Sequence, residues 1–193
     1  MLKDKLNQYN IILASGSPRR QQFFKEMDVP FTIQLKEVEE IYPDTLKAEE
    51  ITNFLSELKA NAFENLQEKD ILITSDTIVW HEEKALGKPK NYDDAFKMLQ
   101  SMSGKTHRVI TSVSFKTKNR VETIHEITHV TFKMLSDLEI TYYLDHYKPF
   151  DKAGSYGIQE WIGLIGISKI EGSYTNVVGL PVEKVYSKLL DYA

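Results

Sequence analysis

The 193-residue chain has no cysteine. That absence excludes disulfide staples, thiolate nucleophiles and every zinc site built on Cys. No apolar run approaches the ~18 residues of a membrane-spanning helix. The first ten residues, M-L-K-D-K-L-N-Q-Y-N, lack the apolar stretch of a secretory signal. A basic excess is also missing: 24 Lys+Arg stand against 28 Asp+Glu, for a net charge of −4. A protein that coats DNA or RNA needs the opposite balance, although a small basic pocket for one anionic ligand remains compatible. There is no internal repeat and no low-complexity tract. What remains is a soluble, cytosolic chain expected to form a single domain over 1–193. A chain of this length buries roughly 70% of its extended surface and needs no covalent staple.

Strand and helix patterns alternate. Ile11-Ile12-Leu13-Ala14 reads as a buried strand that stops at Ser15-Gly16-Ser17-Pro18-Arg19-Arg20. Ser17 can cap the helix that follows, and Pro18 suits its first position. Phe31, Ile33 and Leu35 alternate with polar residues as a half-buried strand would. Ile51, Phe54, Leu55, Leu58 and Ala62 mark one face of an amphipathic helix. Ile71–Thr74 reads as a strand ending at Ser75-Asp76-Thr77, and Glu82-Glu83-Lys84 as a turn. Asn91 can cap a helix, and Ser136-Asp137-Leu138-Glu139 fits a capping box. Arg108–Lys116 and Val121–Met134 are rich in β-branched residues around a Lys118-Asn119-Arg120 turn, and Leu164–Ile170 reads as a strand. Pro181 opens a last helix. The pattern predicts an α/β fold with a mixed sheet flanked by helices.

Two familiar motifs fail on context. His125-Glu126-Ile127-Thr128-His129 spells the zinc-protease string, but it lies in a strand pattern. Residues four apart on a strand are ~13 Å apart, too far to share one ion. Gly104-Lys105-Thr106 copies the end of a phosphate-binding loop, but Leu99 stands where that loop needs its first glycine.

A third pattern is more informative. In open α/β sheets, ligands bind beyond the carboxyl ends of strands. One strand here leads into S-G-S-P-R-R, which puts hydroxyls, backbone N–H groups and two guanidinium groups at a helix N-terminus and so suits an anion. Arg in a first helical turn opposes the dipole, so an anionic partner would compensate the pair. Another strand leads to Ser75-Asp76-Thr77, followed by Gly87-Lys88-Pro89. A carboxylate there can hold Mg²⁺ or take a proton from water, and a Lys can neutralise phosphate. The acidic loop adds Glu39 and Glu40, and the long helix adds Lys59 at the edge of its apolar face. Each feature alone also has an ordinary reading as a capped helix, a turn-forming Asp or a solvated Lys.

Taken together, the residues resemble the Maf-like nucleoside triphosphate pyrophosphatases, also called septum formation inhibitor Maf. The matching pieces are A-S-G-S-P-R-R (14–20), Lys59-Ala60, S-D-T-I-V (75–79), G-K-P (87–89), S-G-K-T-H-R-V (103–109), D-K-A-G-S-Y-G-I-Q (151–159) and N-V-V-G-L-P (176–181). The resemblance implies an α/β fold of the Maf/ITPase type, with two lobes, a central cleft and a homodimer. It implies a metal-dependent hydrolase, using Mg²⁺ or Mn²⁺, that cuts a nucleoside triphosphate to the monophosphate and pyrophosphate and so keeps non-standard nucleotides out of nucleic acid. By match to the family's motifs, Asp76 is the proton acceptor. Arg19, Thr77 and Gln159 match positions for base selection. Ser15, Arg20, Lys59 and Lys88 match the phosphate site, and Asp76 with Glu40 the metal site. S-G-S-P-R-R, D-T-I-V and Y-G-I-Q look like the branch acting on dTTP and UTP. The sister branch acting on 7-methyl-GTP has Trp for the first Arg and Glu for the Gln. The sequence departs from the family pattern at Glu160, where many relatives have Gly, and at Ser56, where Ala is usual. The competing readings are a pyrophosphatase for another modified nucleotide and a non-enzymatic nucleotide-binding regulator of cell division. The implied partner is a nucleoside triphosphate, with neither a membrane nor a nucleic-acid polymer.

Overall fold

The I-I-L run forms a strand at Asn10–Leu13 (β1), preceded by a short helix at Leu2–Lys5 (α1), in the computed structural model, which describes residues 1–192. Ala193, the last residue of the expected domain, lies outside the described residues. β1 is followed by a helix at Pro18–Glu26 (α2), a strand at Thr32–Ile33 (β2), a helix at Glu49–Asn61 (α3), and strands at Asp70–His81 (β3) and Lys84–Leu86 (β4). Then come a helix at Tyr92–Met102 (α4), strands at Thr106–Lys116 (β5) and Val121–Phe132 (β6), a helix at Asp137–Tyr147 (α5), a short helix at Trp161–Gly166 (α6), a strand at Ile167–Glu171 (β7), and helices at Tyr174–Val178 (α7) and Val182–Leu190 (α8). The strands make a mixed seven-stranded sheet: β1 is parallel to β2 and β3, whereas β3–β4 and β6–β7 are antiparallel. No helix of the described residues is long and apolar enough to cross a membrane.

The chain forms two compact units. One comprises 1–76, 111–126 and the chain from Gly179 on; the other comprises 77–110 and 127–178. In the first unit, Leu13, Phe24, Ile73, Phe115, Leu180 and Leu189 belong to one buried cluster, and Phe24 packs edge-on against Phe31 at 5.5 Å. A second cluster, with Ile12, Leu72, Ala60 and Phe63, sits beneath α3.

The seat of α3 is polar as well as apolar. Its buried residues are Ile51, Thr52, Leu55, Ser56 and Ala60, while Phe54 is exposed and Leu58 half-buried. The expected apolar face is therefore rotated, because sheet hydroxyls supply partners for helix hydroxyls. Thr52 and Ser112 share a hydrogen bond at 2.6 Å, and Ser112 donates to Asn53 Oδ1 at 2.7 Å. Ser114 donates to Ser56 Oγ at 2.8 Å, and Thr74 donates to the Ser56 carbonyl at 2.7 Å. Paired in this way, buried hydroxyls avoid the desolvation penalty they would otherwise carry.

Three further expectations need correction. Ser75-Asp76-Thr77 does not end a strand; it lies in the middle of the twelve-residue β3. Ile33 is 47% exposed because β2 is a two-residue edge strand with a single neighbour, and Leu35, 62% exposed, lies on irregular chain beyond its end. Leu164 is helical: α6 occupies the first part of the expected strand, and β7 begins at Ile167. The local signals held elsewhere. Asn91 Oδ1 accepts from Asp94 N at 2.9 Å, the Ser136 capping box is formed, and Glu82 and Glu83 both take positive φ in the two-residue β3–β4 turn. His125 and His129 lie on strand β6, and no group of three potential metal ligands stands together among the described residues.

In the second unit, His107 is buried against Phe132 and Tyr156, with Nε2 2.8 Å from the Tyr156 hydroxyl and no hydrogen-bond partner for Nδ1. Burial, with a smaller contribution from His81, lowers its pKa to about 3. The native state thus keeps His107 neutral while the unfolded chain takes up a proton below ~6.5. Its stabilising effect is complete above pH ~6.5 and is lost as the pH falls toward 3, with a slope of up to ~1.4 kcal/mol per pH unit. In His107→Gln, the urea-unfolding free energy should depend on pH between 6.5 and 4.5 by about one proton less than in the wild type. Identical slopes in the two proteins would rule out His107 as the source.

Candidate active site

In the first unit, β1 and β3 run parallel in the register Leu13↔Ile73. Ser15 and Ser75 each lie two residues further on, and Ala14 N still donates to Ile73 O at 2.8 Å. Asp76 follows Ser75, and its side chain is only 9% exposed. An isolated buried carboxylate would be costly. Lys59, projecting from the C-terminal half of α3, answers it with Nζ–Oδ1 at 2.7 Å. The same ammonium reaches Glu40 Oε1 at 2.9 Å, from the irregular segment between β2 and α3. Glu40 is 53% exposed and Lys59 20%. One cation thus draws together two carboxylates that stand 36 positions apart in sequence.

Arg20 lies beside this trio. Its Nε donates to the Gly179 carbonyl at 2.8 Å, and Nη1 donates to the Ser75 carbonyl at 3.0 Å and to Ser15 Oγ at 3.4 Å. Burial lowers the pKa of its guanidinium from the ordinary value, Asp76 and Glu40 raise it, and Arg19 lowers it further. Arginine nevertheless keeps its charge in proteins. The fork spans the α2 N-terminus, β3 and the turn before α8. Ser17 occupies the N-cap of α2 with extended φ/ψ, but its side chain makes no cap hydrogen bond, and the first turn holds no acidic residue. The positive end of this helix is therefore offset by no carboxylate of its own first turn. Gln21 Nε2 and Ser17 N hold Ser15 through its carbonyl (3.1 Å) and hydroxyl (3.3 Å).

The second unit holds Thr77, half-buried on β3, with Lys88 and Gln159, both exposed. Lys88 follows Gly87, whose carbonyl accepts from Gly154 N at 3.0 Å. Gly154 has φ +67°, and a Cβ there would stand 2.7 Å from Val79 Cγ2. The 151–160 segment is thus pressed onto β3 just past Thr77 and stitched to the Lys88 segment. Only glycine allows that approach.

Ser15, Arg20, Glu40, Lys59 and Asp76 therefore converge in one unit, with Arg19 next in chain to Arg20. Sequence reasoning gave no role to Gln21 or to the carbonyls of Ser75 and Gly179. Of these, Gly179 lay in a motif already singled out, N-V-V-G-L-P. Chemically, the convergence offers two carboxylates for a hard divalent cation, which is commonly held by one or two carboxylates and completed by phosphate oxygens and water. It also offers guanidinium and ammonium groups for the phosphates themselves.

A family model described as Maf-like protein matches residues 10–192. A dTTP/UTP pyrophosphatase of Flavobacterium johnsoniae is 67% identical over 98% of this chain and 98% of its own length. One from Flavobacterium psychrophilum is 65% identical over 100% of this chain and 99% of its own. Among solved structures, a HAM1 protein from Coxiella burnetii superposes with a TM-score of 0.51 at 12% identity, covering 95% of this chain and 99% of that one, a likeness of fold.

Arg20→Lys keeps the charge but loses the fork. It should lower the unfolding free energy by about 1.5–3 kcal/mol in urea titration, as expected when hydrogen bonds from a charged group to buried carbonyls are lost. A change within ~0.5 kcal/mol would show that the Gly179 and Ser75 carbonyls find other partners.

Proposed function

The chain belongs to the Maf-like family, and on that premise we propose that it hydrolyses dTTP and UTP to the monophosphate and pyrophosphate, in the cytoplasm and as a homodimer. The observation that carries this reading is the convergence of Asp76 and Glu40 on Lys59, with Arg20 alongside. The names of the closely similar relatives support the substrate class.

Attack of water on the α-phosphorus of a polyanion is opposed by charge repulsion and by the need to place the nucleophile. Catalysis is therefore electrostatic and orientational. Asp76 orients the water and receives its proton as the bond to phosphorus forms. Its position is fixed by the β3 backbone on either side and by the Lys59 contact at 2.7 Å. Arg20 is held in place by the Gly179 and Ser75 carbonyls, so its remaining positive field requires no rearrangement when charge builds on the phosphates. Ser15 and Lys88 bind phosphate oxygens. Arg19, Thr77 and Gln159 select the base, where the Gln159 amide offers both a donor and an acceptor to a pyrimidine edge. The donor set fits Mg²⁺ or Mn²⁺, which Asp76 and Glu40 would hold. Such an ion, when bound, neutralises phosphate charge and polarises the phosphoryl oxygens. Lys59 holds both carboxylates in register for either task and keeps their mutual repulsion compensated.

Two measurements test this. A panel of dTTP, UTP, GTP, 7-methyl-GTP and ATP, with pyrophosphate detection and with or without chelator, should show release from dTTP and UTP that depends on added Mg²⁺ or Mn²⁺. Preference for 7-methyl-GTP would move the chain to the sister activity, and binding without pyrophosphate release would make it a nucleotide-responsive regulator. Asp76→Asn keeps shape but removes charge and basicity, so kcat on dTTP should fall by ~10²-fold or more. Near wild-type turnover would end the assignment of Asp76 as proton acceptor.

A further inference from the structure

Gln159 sits in a closed turn. Glu160 N donates to the Gly157 carbonyl at 3.0 Å, which makes Ile158 and Gln159 the two central residues. The two ends of this turn are clamped by one phenol from α5. The Tyr143 hydroxyl accepts from Gly157 N at 3.0 Å and donates to Glu160 Oε2. The other oxygen of Glu160 takes Lys152 Nζ at 3.1 Å. α6 begins immediately behind the turn, with Gly163 N donating to the Glu160 carbonyl at 2.9 Å, and a Cβ on Gly163 would run into the Ile158 carbonyl.

Tyr143 is fully buried and stacks on Tyr147 with ring centroids 5.2 Å apart. A buried phenol needs a hydrogen-bond partner. This one spends both its donor and its acceptor on the turn that presents an exposed glutamine. Helix α5 gains nothing from it for its own ends, since its N-terminus is satisfied by the Ser136–Glu139 capping box. Glu160 supplies the carboxylate half of the clamp.

We propose that Tyr143 and Glu160 are positioning residues that set base selectivity by holding the Gln159 turn in its presenting conformation. The inference rests on the reading that Gln159 contacts the base. A glutamine discriminates between bases only if its amide meets them in a fixed orientation. A turn that must be ordered anew on each binding event loses affinity by roughly tenfold for each residue ordered. The clamp removes that loss for the matched base and withholds the freedom that a mismatched base would need.

The test is steady-state kinetics with dTTP, UTP and GTP on the wild type, Tyr143→Phe, Glu160→Ala, Glu160→Gln, Gln159→Ala and the Tyr143→Phe/Gln159→Ala double variant. Tyr143→Phe and Glu160→Ala should raise KM for dTTP by about tenfold, leave kcat within about twofold, and shrink the dTTP-over-GTP ratio of kcat/KM. Glu160→Gln, whose amide oxygen still accepts from the phenol, should recover most of that ratio. The double variant should match Gln159→Ala alone, because the two changes act on one contact. If Gln159→Ala collapses the ratio while both clamp variants leave it intact, or lower kcat on all three nucleotides alike, the clamp is structural and the inference is overturned. If Gln159→Ala leaves the ratio intact, the base-reading role itself is wrong and the inference falls with it. Should Tyr143→Phe fail to fold, Glu160→Ala opens the same clamp from its partly exposed side.

Discussion

Lys59 carries the constraint on which the charged centre of the first unit depends. A carboxylate as buried as Asp76 must be compensated, and a second one from Glu40 at the same place would otherwise add repulsion. A single ammonium satisfies both. Its placement is not left to its own flexible stem, because α3 is pinned to the sheet by the Thr52–Ser112, Ser56–Ser114 and Thr74–Ser56 hydrogen bonds. The Ser56 hydroxyl belongs to that seat: it accepts from Ser114, whose oxygen also meets Thr123 Oγ1 at 2.9 Å.

Arg20 plays the corresponding part beside Asp76. Its guanidinium joins the α2 N-terminus to the Ser75 and Gly179 carbonyls, so residues from three distant stretches of sequence are tied by one side chain. Both of these acceptors are backbone carbonyls, which do not drift with rotamer changes. Fixed cations next to fixed carboxylates make a centre whose charges are arranged before any ligand arrives, the condition under which electrostatic catalysis is strongest.

Much of this was legible in the sequence, for identifiable reasons. The Asn91 cap, the Ser136 capping box and the Glu82-Glu83 turn depend on neighbours three or four residues away and were read correctly. So were the mixed α/β sheet and the family. Two of the misreadings have their cause in partners far along the chain. Asp76 looked like a strand end because a charged residue rarely continues a buried strand; Lys59, seventeen positions earlier, makes the continuation possible. The α3 face was misjudged because Thr52 and Ser56 are buried by hydroxyls of β5, which no apolar periodicity reports. Ile33 and Leu35 alternate as core residues do, yet both face solvent, Ile33 on an edge strand and Leu35 on irregular chain beyond its end. Leu164–Gly166 reads as the start of a strand, but a helix from Trp161 takes these residues, with Gly163 set against the Ile158 carbonyl.

The three charged residues of this centre differ in what holds their backbones. Lys59 rides a thirteen-residue helix and Asp76 the interior of a twelve-residue strand, whereas Glu40 sits on irregular chain and is more than half exposed. A surface ion pair of this kind costs only ~0–1 kcal/mol to break. Glu40 is thus the member whose tie to Lys59 is cheapest to break, while the Lys59–Asp76 pair keeps its place between helix and sheet.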